Sequence, residues 1–366
     1  MTSAQEFRPR WASPPGESIK DAYEEHGLSP SAFAVSIGLD PSYLPELLAG
    51  SEPISIDLAR RIVNSIGGSV EFWLARDGQY RDNLSRIEAD DWATNFPIVQ
   101  MASLGWIDRP NDWQSQIEVC FDFFNVNDLQ EWRTRYGSIL ENAKLRTSNK
   151  VTSNPSAVAA WLRQAEIEAN RIHCAAWNPE EFRKALSEIR RLTRVSDPKR
   201  FLPLLQSICS NSGVAVVTVR TPPGCPASGA VWRSTAQVPL IALSARYLSD
   251  DHFWFTFFHE AGHLLMHDPT NLFVDEFEKE NTRPSSHEEI EADAFATNIL
   301  MPKSARKELS KGRPTPALLH RLAREGEVST GILVGQLQYR GNIGFNSVFN
   351  KLKKRYRWNG SSLEKA

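Results

Sequence analysis

Cysteine is scarce in this chain: Cys120, Cys174, Cys209 and Cys225 are its only four in 366 residues, and no two form a CxxC pair. That scatter excludes a cysteine-ligated zinc site and a disulfide framework, leaving reduced thiols in a cytoplasmic protein as the expectation. Long apolar runs are missing as well. No stretch approaches the roughly eighteen apolar residues of a membrane helix. The opening MTSAQEFRPRWASPPGES has no apolar core of the kind a secretory signal needs. No membrane partner is therefore expected. Repeats and low-complexity segments are also lacking.

Basic residues are thin where they would matter for nucleic acid. The formal net charge of −2 says little, but its distribution is uneven. Residues 1–86 hold eight basic against twelve acidic side chains, a balance of −4. Residues 251–301 stand at −9 and residues 303–366 at +10. Opposite charges so near in sequence meet at little loop-closure cost. The basic end, with Lys351, Lys353, Lys354, Arg355 and Arg357 beside Tyr356 and Trp358, is expected either to fold back over an acidic rim or to stay solvated. A solvated basic tail would attract nucleic acid.

What is present begins with short helices. Ser18–His26 ends at Gly27, Ser29 caps a helix from Pro30 to Ile37 that Gly38 closes, and Asp40-Pro41 starts a third running to about Leu48. Two helices joined by a short turn containing Gly form the helix-turn-helix pattern. A further helix covers Ile56–Ile66, is stopped by Gly67-Gly68, and is followed by another from near Val70. From Gly27 to Gly50 there is no Lys or Arg, and the recognition segment Pro41–Leu48 carries no Arg, Lys, Asn or Gln for major-groove readout. Pro45 is expected inside that helix, where it would bend the axis. Arg60 and Arg61 allow weak DNA contact, but a protein-contacting or dimerising role is preferred. The spacing resembles the XRE-type helix-turn-helix family, and GSVEFWLARDGQY (68–80) resembles its HigA antitoxin branch.

Residues 87–200 read as mostly helical, with amphipathic stretches at 155–171 and 179–193 and a polar linker at 146–156. From Gly213 the pattern changes to buried β runs, GVAVVTV (213–219), AVW (230–232) and VPLIALS (238–244). Ser249-Asp250-Asp251 then opens a helix, HFWFTFFHEAGHLLMH, that is apolar all round and so belongs at the centre of a domain. Two short helices, 315–324 and 329–340, come before the basic end.

Within the central helix, His259-Glu260-Ala261-Gly262-His263 is HExxH. Residues four apart share a helix face, so both imidazoles can reach one metal ion, while Glu260, turned by about 100°, can contact water on it. A catalytic zinc site needs three protein ligands and an open position. There zinc lowers the pKa of water and Glu260 takes its proton. His267 lies two turns from His259, about 12 Å away by helix rise, and cannot join the same ion. A second helix, HEEIEADAFATNILMP (287–302), offers Glu288, Glu289, Glu291 and Asp293. With its apolar stripe drawn through Ile290, Ala294, Phe295 and Ile299, and Ala292, Phe295 and Ala296 adding small packing contacts, Glu291 faces the core edge, whereas Glu288 and Glu289 can be solvated. Glu291 is therefore the expected third ligand.

HEAGHLLMH followed by EADAFATNILMP resembles the ImmA/IrrE family of metallopeptidases over about residues 200–305. The resemblance implies zinc held by His259, His263 and Glu291, with Glu260 catalytic. It also implies narrow proteolysis of a regulatory protein such as a helix-turn-helix repressor or antitoxin. The fold expected is α+β and mostly helical: a zincin-like core, with a small sheet packed on the HExxH helix, behind an N-terminal helix-turn-helix domain. The expected domains are 1–86 (helix-turn-helix), 87–200 (helical), 201–305 (metallopeptidase core) and 306–366 (basic, helical). The competing reading is a DNA-binding regulator or antitoxin-like module whose metal is structural or sensory. Loss of Glu260 would be tolerated only under that second reading.

Overall fold

The structure, a computed structural model, describes residues 10–146, 154–234, 237–267, 273–275, 286–309 and 312–366. It is mostly helical with two small sheets, and it divides into two compact units. Residues up to Thr94, with Asn111–Ile117, make the first; Asn95–Pro110 with Glu118–Ala366 makes the second. Among the described residues no helix is long and apolar enough to cross a membrane.

The first unit contains α1 (Pro15–Glu25), α2 (Pro30–Ser36), α3 (Leu44–Ala49), α4 (Ile56–Ile66) and α5 (Val70–Thr94). Side-chain caps start three of its turns. Ser29 accepts from the Ala32 amide, Asp40 from the Ser42 amide and Ser55 from the Leu58 amide. Ile19, Tyr23, Phe33, Ile37, Ile62 and Trp73 close its core. Pro45 falls within a helix as the sequence suggested, but not in its interior. A 3₁₀ turn, Pro41–Tyr43, takes up the preceding residues, so Pro45 lies in the first turn of α3, where a missing N–H costs nothing. Arg61 is also committed internally, donating to the carbonyls of Ile37 at 2.7 Å and Gly38 at 3.4 Å.

The second unit runs through α6 (Ile98–Ser103), α7 (Trp113–Phe124, which begins in the first), α8 (Leu129–Arg146), α9 (Pro155–Ala169), α10 (Pro179–Leu192) and α11 (Pro198–Asn211). Strands β1 (Ala215–Thr218), β2 (Gly229–Arg233), β3 (Pro239–Leu243) and β4 (Phe273–Asp275) form one sheet in the order β1-β3-β2-β4. β1 and β3 are parallel, and β2 runs antiparallel to β3 and to β4. The strands read as unbroken apolar runs because both faces are covered. Val216, Val231, Ile241 and Leu243 point to the larger core, while Ala215, Val217, Ala230, Trp232, Leu240 and Ala242 point to α9.

The larger core is built around α12 (Asp250–Met266), followed by α13 (His287–Leu300), α14 (Lys303–Leu309), α15 (Pro316–Glu325), α16 (Thr330–Tyr339) and a hairpin of β5 (Tyr356–Asn359) and β6 (Ser362–Lys365). Nearly every α12 residue is buried, as its all-round apolarity requires. Ser249 stands at its N-cap, but the hydroxyl bonds to Asp251 Oδ1 at 2.7 Å and not to the backbone.

The basic end is neither a solvated tail nor a strap over a cleft. Lys353 Nζ reaches Asp251 Oδ2 at 2.5 Å and Gln338 Oε1 at 2.6 Å, with both ionic side chains 6% exposed. The Lys354 amide donates to Asp250 Oδ1 at 3.0 Å, and Tyr356 and Leu363 belong to the core. Opposite charges do meet, but beneath the start of α12. Gly331 and Gly335 make room for them: a Cβ on either would come within 2.5 Å of the Asp250 or Asp251 carboxylate.

Candidate metal centre

His259 and His263, one turn apart on α12, are 3% and 1% exposed and turn their Nε2 atoms toward each other at 3.0 Å. α13 crosses beside them at close range because Gly262 has no side chain. A Cβ there would lie 3.2 Å from Ala292 Cα and 3.1 Å from Phe295 Cδ1. This contact decides which face of α13 looks inward. Ala292, Ala296 and Leu300 form its buried stripe, whereas Ile290 is 53% exposed. The stripe drawn from the larger apolar residues was rotated away from the true one, since close helix crossing favours alanine over isoleucine.

That rotation changes which acids meet the histidines. Glu289 Oε2 lies 3.1 Å from His259 Nε2, and Glu289 Oε1 lies 3.5 Å from His263 Nε2. Glu291, the ligand expected from sequence, is not brought to either Nε2. Its carboxylate is 45% exposed and contacts His267 Nε2 at 3.1 Å and His287 Nδ1 at 3.4 Å. His259, His263 and Glu289 form a group whose donor atoms lie within 4.8 Å of one another.

The outer nitrogens are held too. His259 Nδ1 is 2.9 Å from Asp293 Oδ1. A carboxylate only accepts, so Nδ1 carries the hydrogen and Nε2 keeps its lone pair. His263 Nδ1 is 3.0 Å from His267 Nδ1, and His267 Nε2 is 3.1 Å from Glu291 Oε2. By the same reasoning His267 donates to Glu291 and accepts from His263, which also keeps its Nε2 lone pair inward. Burial lowers the His263 pKa and so favours its neutral form. Burial works against the charge of Glu289, yet the two imidazoles at its oxygens outweigh it and hold the carboxyl well below the usual range. Two inward lone pairs and an anionic carboxylate repel one another unless a cation lies among them. Two imidazoles and one carboxylate are a donor set suited to zinc.

Glu260 is fully buried, on the adjoining face of α12. Its carboxylate packs against Gly229 of β2, where a Cβ would lie 2.6 Å from Oε1 and 2.5 Å from Thr256 Cγ2. Sequence reasoning named Glu289 but set it aside as solvated, named Asp293 without a role, and missed Gly229. The first two carried a signal: they are four residues apart on one helix, as His259 and His263 are on the other.

Residues 215–337 match the model of the peptidase M78 family, described as the IrrE N-terminal-like domain. Among curated proteins the chain is similar to virulence-associated protein I of Dichelobacter nodosus, with 32% identity over 85 residues. That alignment covers 23% of this chain and 77% of the relative.

Proposed function

We propose, from the match of residues 215–337 to the peptidase M78 family described as the IrrE N-terminal-like domain, that the chain is a zinc-dependent endopeptidase of the ImmA/IrrE kind acting on a regulatory protein. The observation that carries the reading is the convergence of His259 Nε2, His263 Nε2 and Glu289 within 4.8 Å. These three residues, with Glu289 in the place first given to Glu291, would hold the ion in a zincin-like core. Bound there, zinc would supply a Lewis acid that lowers the pKa of water and polarises a peptide carbonyl.

The rest of the chemistry belongs to the protein. Glu260, one residue from His259 and packed with Thr256 against Gly229, takes the proton of the attacking water and passes it to the leaving amine. Asp293 and His267 fix the two imidazoles as Nε2 acceptors. The first unit carries the helix-turn-helix candidate, α2 and α3, and we assign it to recognising a protein or a second copy of the chain. Support for this comes from the lack of Lys and Arg between Gly27 and Gly50 and from the internal bonding of Arg61. The test is incubation of the purified chain with bacterial repressors and antitoxins. Zinc-loaded wild type should cut one of them; Glu260→Gln should keep zinc and lose nearly all cleavage. Cutting by Glu260→Gln at the wild-type rate would overturn the mechanism.

A further inference from the structure

The arm of hydrogen bonds behind His259 does not stop at Asp293. Tyr339, the last residue of α16, donates its hydroxyl to Asp293 Oδ2 at 2.8 Å, while Asp293 Oδ1 takes His259 Nδ1 at 2.9 Å. One carboxylate thus bridges a phenol on α16 and an imidazole on α12. The Tyr339 ring also lies 6.0 Å from Phe255, whose own ring is 6.2 Å from His259. Phe255 is one turn before His259 on α12, so the tyrosine touches the metal helix by packing as well as through the acid. Tyr339 follows the matched peptidase segment, which ends at residue 337.

We propose that Tyr339 is a positioning residue for the metal centre: by holding Asp293 it fixes the rotation and tautomer of His259. A carboxylate on a helix can turn about two side-chain bonds, and either oxygen can meet Nδ1. With Oδ2 committed to the phenol, Oδ1 is the oxygen presented to the imidazole, and Nε2 points inward toward His263 and Glu289. The hydroxyl stands on the Nδ1 side of His259, away from the Nε2 atoms, so its action runs through Asp293. Half of the Tyr339 surface is exposed, 50%, which makes this a smaller effect than loss of the acid itself. This inference rests on the zinc reading above.

The test is zinc affinity, measured by competition with a chromogenic chelator on the full-length chain. Tyr339→Phe keeps the ring against Phe255 and removes only the hydroxyl. It should weaken zinc binding about fivefold, below the tenfold or more typical of a group bonded directly to a ligand, and should speed zinc release to excess EDTA. The melting temperature of the metal-free protein should not move, which separates positioning from general support of the fold. In an Asp293→Ala background the same substitution should change zinc affinity less than twofold, because the connection is already cut. A Tyr339→Phe affinity within twofold of wild type would overturn the proposal, as would an equal loss in both backgrounds. Wild type that binds no zinc would overturn the zinc reading itself, whereas tight binding by wild type and Tyr339→Phe alike would remove only the role of Tyr339.

Discussion

Replacing Lys353 by methionine tests whether the C-terminal segment is part of the foundation of α12. The ammonium is held by Asp251 Oδ2 at 2.5 Å and Gln338 Oε1 at 2.6 Å, and both charged side chains are 6% exposed. Methionine fills much of the same volume but leaves the buried Asp251 carboxylate with the Ser249 hydroxyl at 2.7 Å and the His252 ring at 3.9 Å. Breaking a buried pair from one side costs about 3–5 kcal/mol, most of it the penalty of the stranded charge. For a unit of this size that is a fall in melting temperature on the order of 10 °C. Combining Lys353→Met with Asp251→Asn removes the stranded charge and should recover at least half of the loss. Urea and thermal unfolding of the metal-free chain, followed by circular dichroism and tryptophan fluorescence, give both numbers. A loss below about 1 kcal/mol would put the pair in the class of solvated surface bridges and restore the free basic tail.

Three further outcomes follow from the same contacts. Burial pushes the Asp250 carboxyl up to about 6, against hydrogen bonds from Ser329 and the Lys354 amide. Its folded pKa is above its unfolded one, so the native state binds more protons between about pH 6 and 4 and its contribution grows as pH falls, by at most about 3 kcal/mol. The stability difference between Asp250→Asn and wild type should therefore change with pH in that window, and a constant difference would contradict the burial. Gly262→Val forces methyls against Ala292 and Phe295, 3.2 and 3.1 Å from the position of its Cβ. That should cost about 1–3 kcal/mol and weaken zinc binding because Glu289 rides on α13; unchanged affinity in a chelator competition would show that α13 need not lie so close. His267→Phe removes the acceptor of the His263 Nδ1 hydrogen and should lower zinc affinity about tenfold, with an effect under twofold arguing that His263 is oriented by packing alone.

Much of this site could be read from residue order. HExxH on an all-apolar helix, with a β run on either side of a Pro/Gly loop before it, placed His259, Glu260 and His263 on a central buried helix, and α12 is that helix. Helix starts written in Ser, Asp and Pro were also legible, as at Ser29, Asp40 and Ser55. The facing of α13 was not. Its residues alternate acids with apolar side chains closely enough that two stripes, one of alanines and one of larger residues, lie within about 100° of each other. Only the partner's surface chooses between them, and Gly262 chose the alanines. The basic end misled for a related reason. A run of Lys and Arg looks solvated until the fold supplies buried carboxylates: Asp251, read as a favourable charge at a helix start, pairs with the Lys353 ammonium, and Asp250 beside it takes the Lys354 backbone amide.

The measurement that bears most directly on the central claim is zinc bound per chain in wild type, Glu289→Ala and Glu291→Ala, by elemental analysis after dialysis against a weak chelator. Wild type is expected to retain about one zinc, since its three inward donors leave one open position. Glu289→Ala should lose it, because among the described residues it is the carboxylate that meets the two Nε2 atoms. Glu291→Ala should retain most of it, with affinity lowered no more than about tenfold through the His267 arm. Full occupancy in Glu289→Ala together with loss in Glu291→Ala would contradict the assignment and return the third ligand to Glu291.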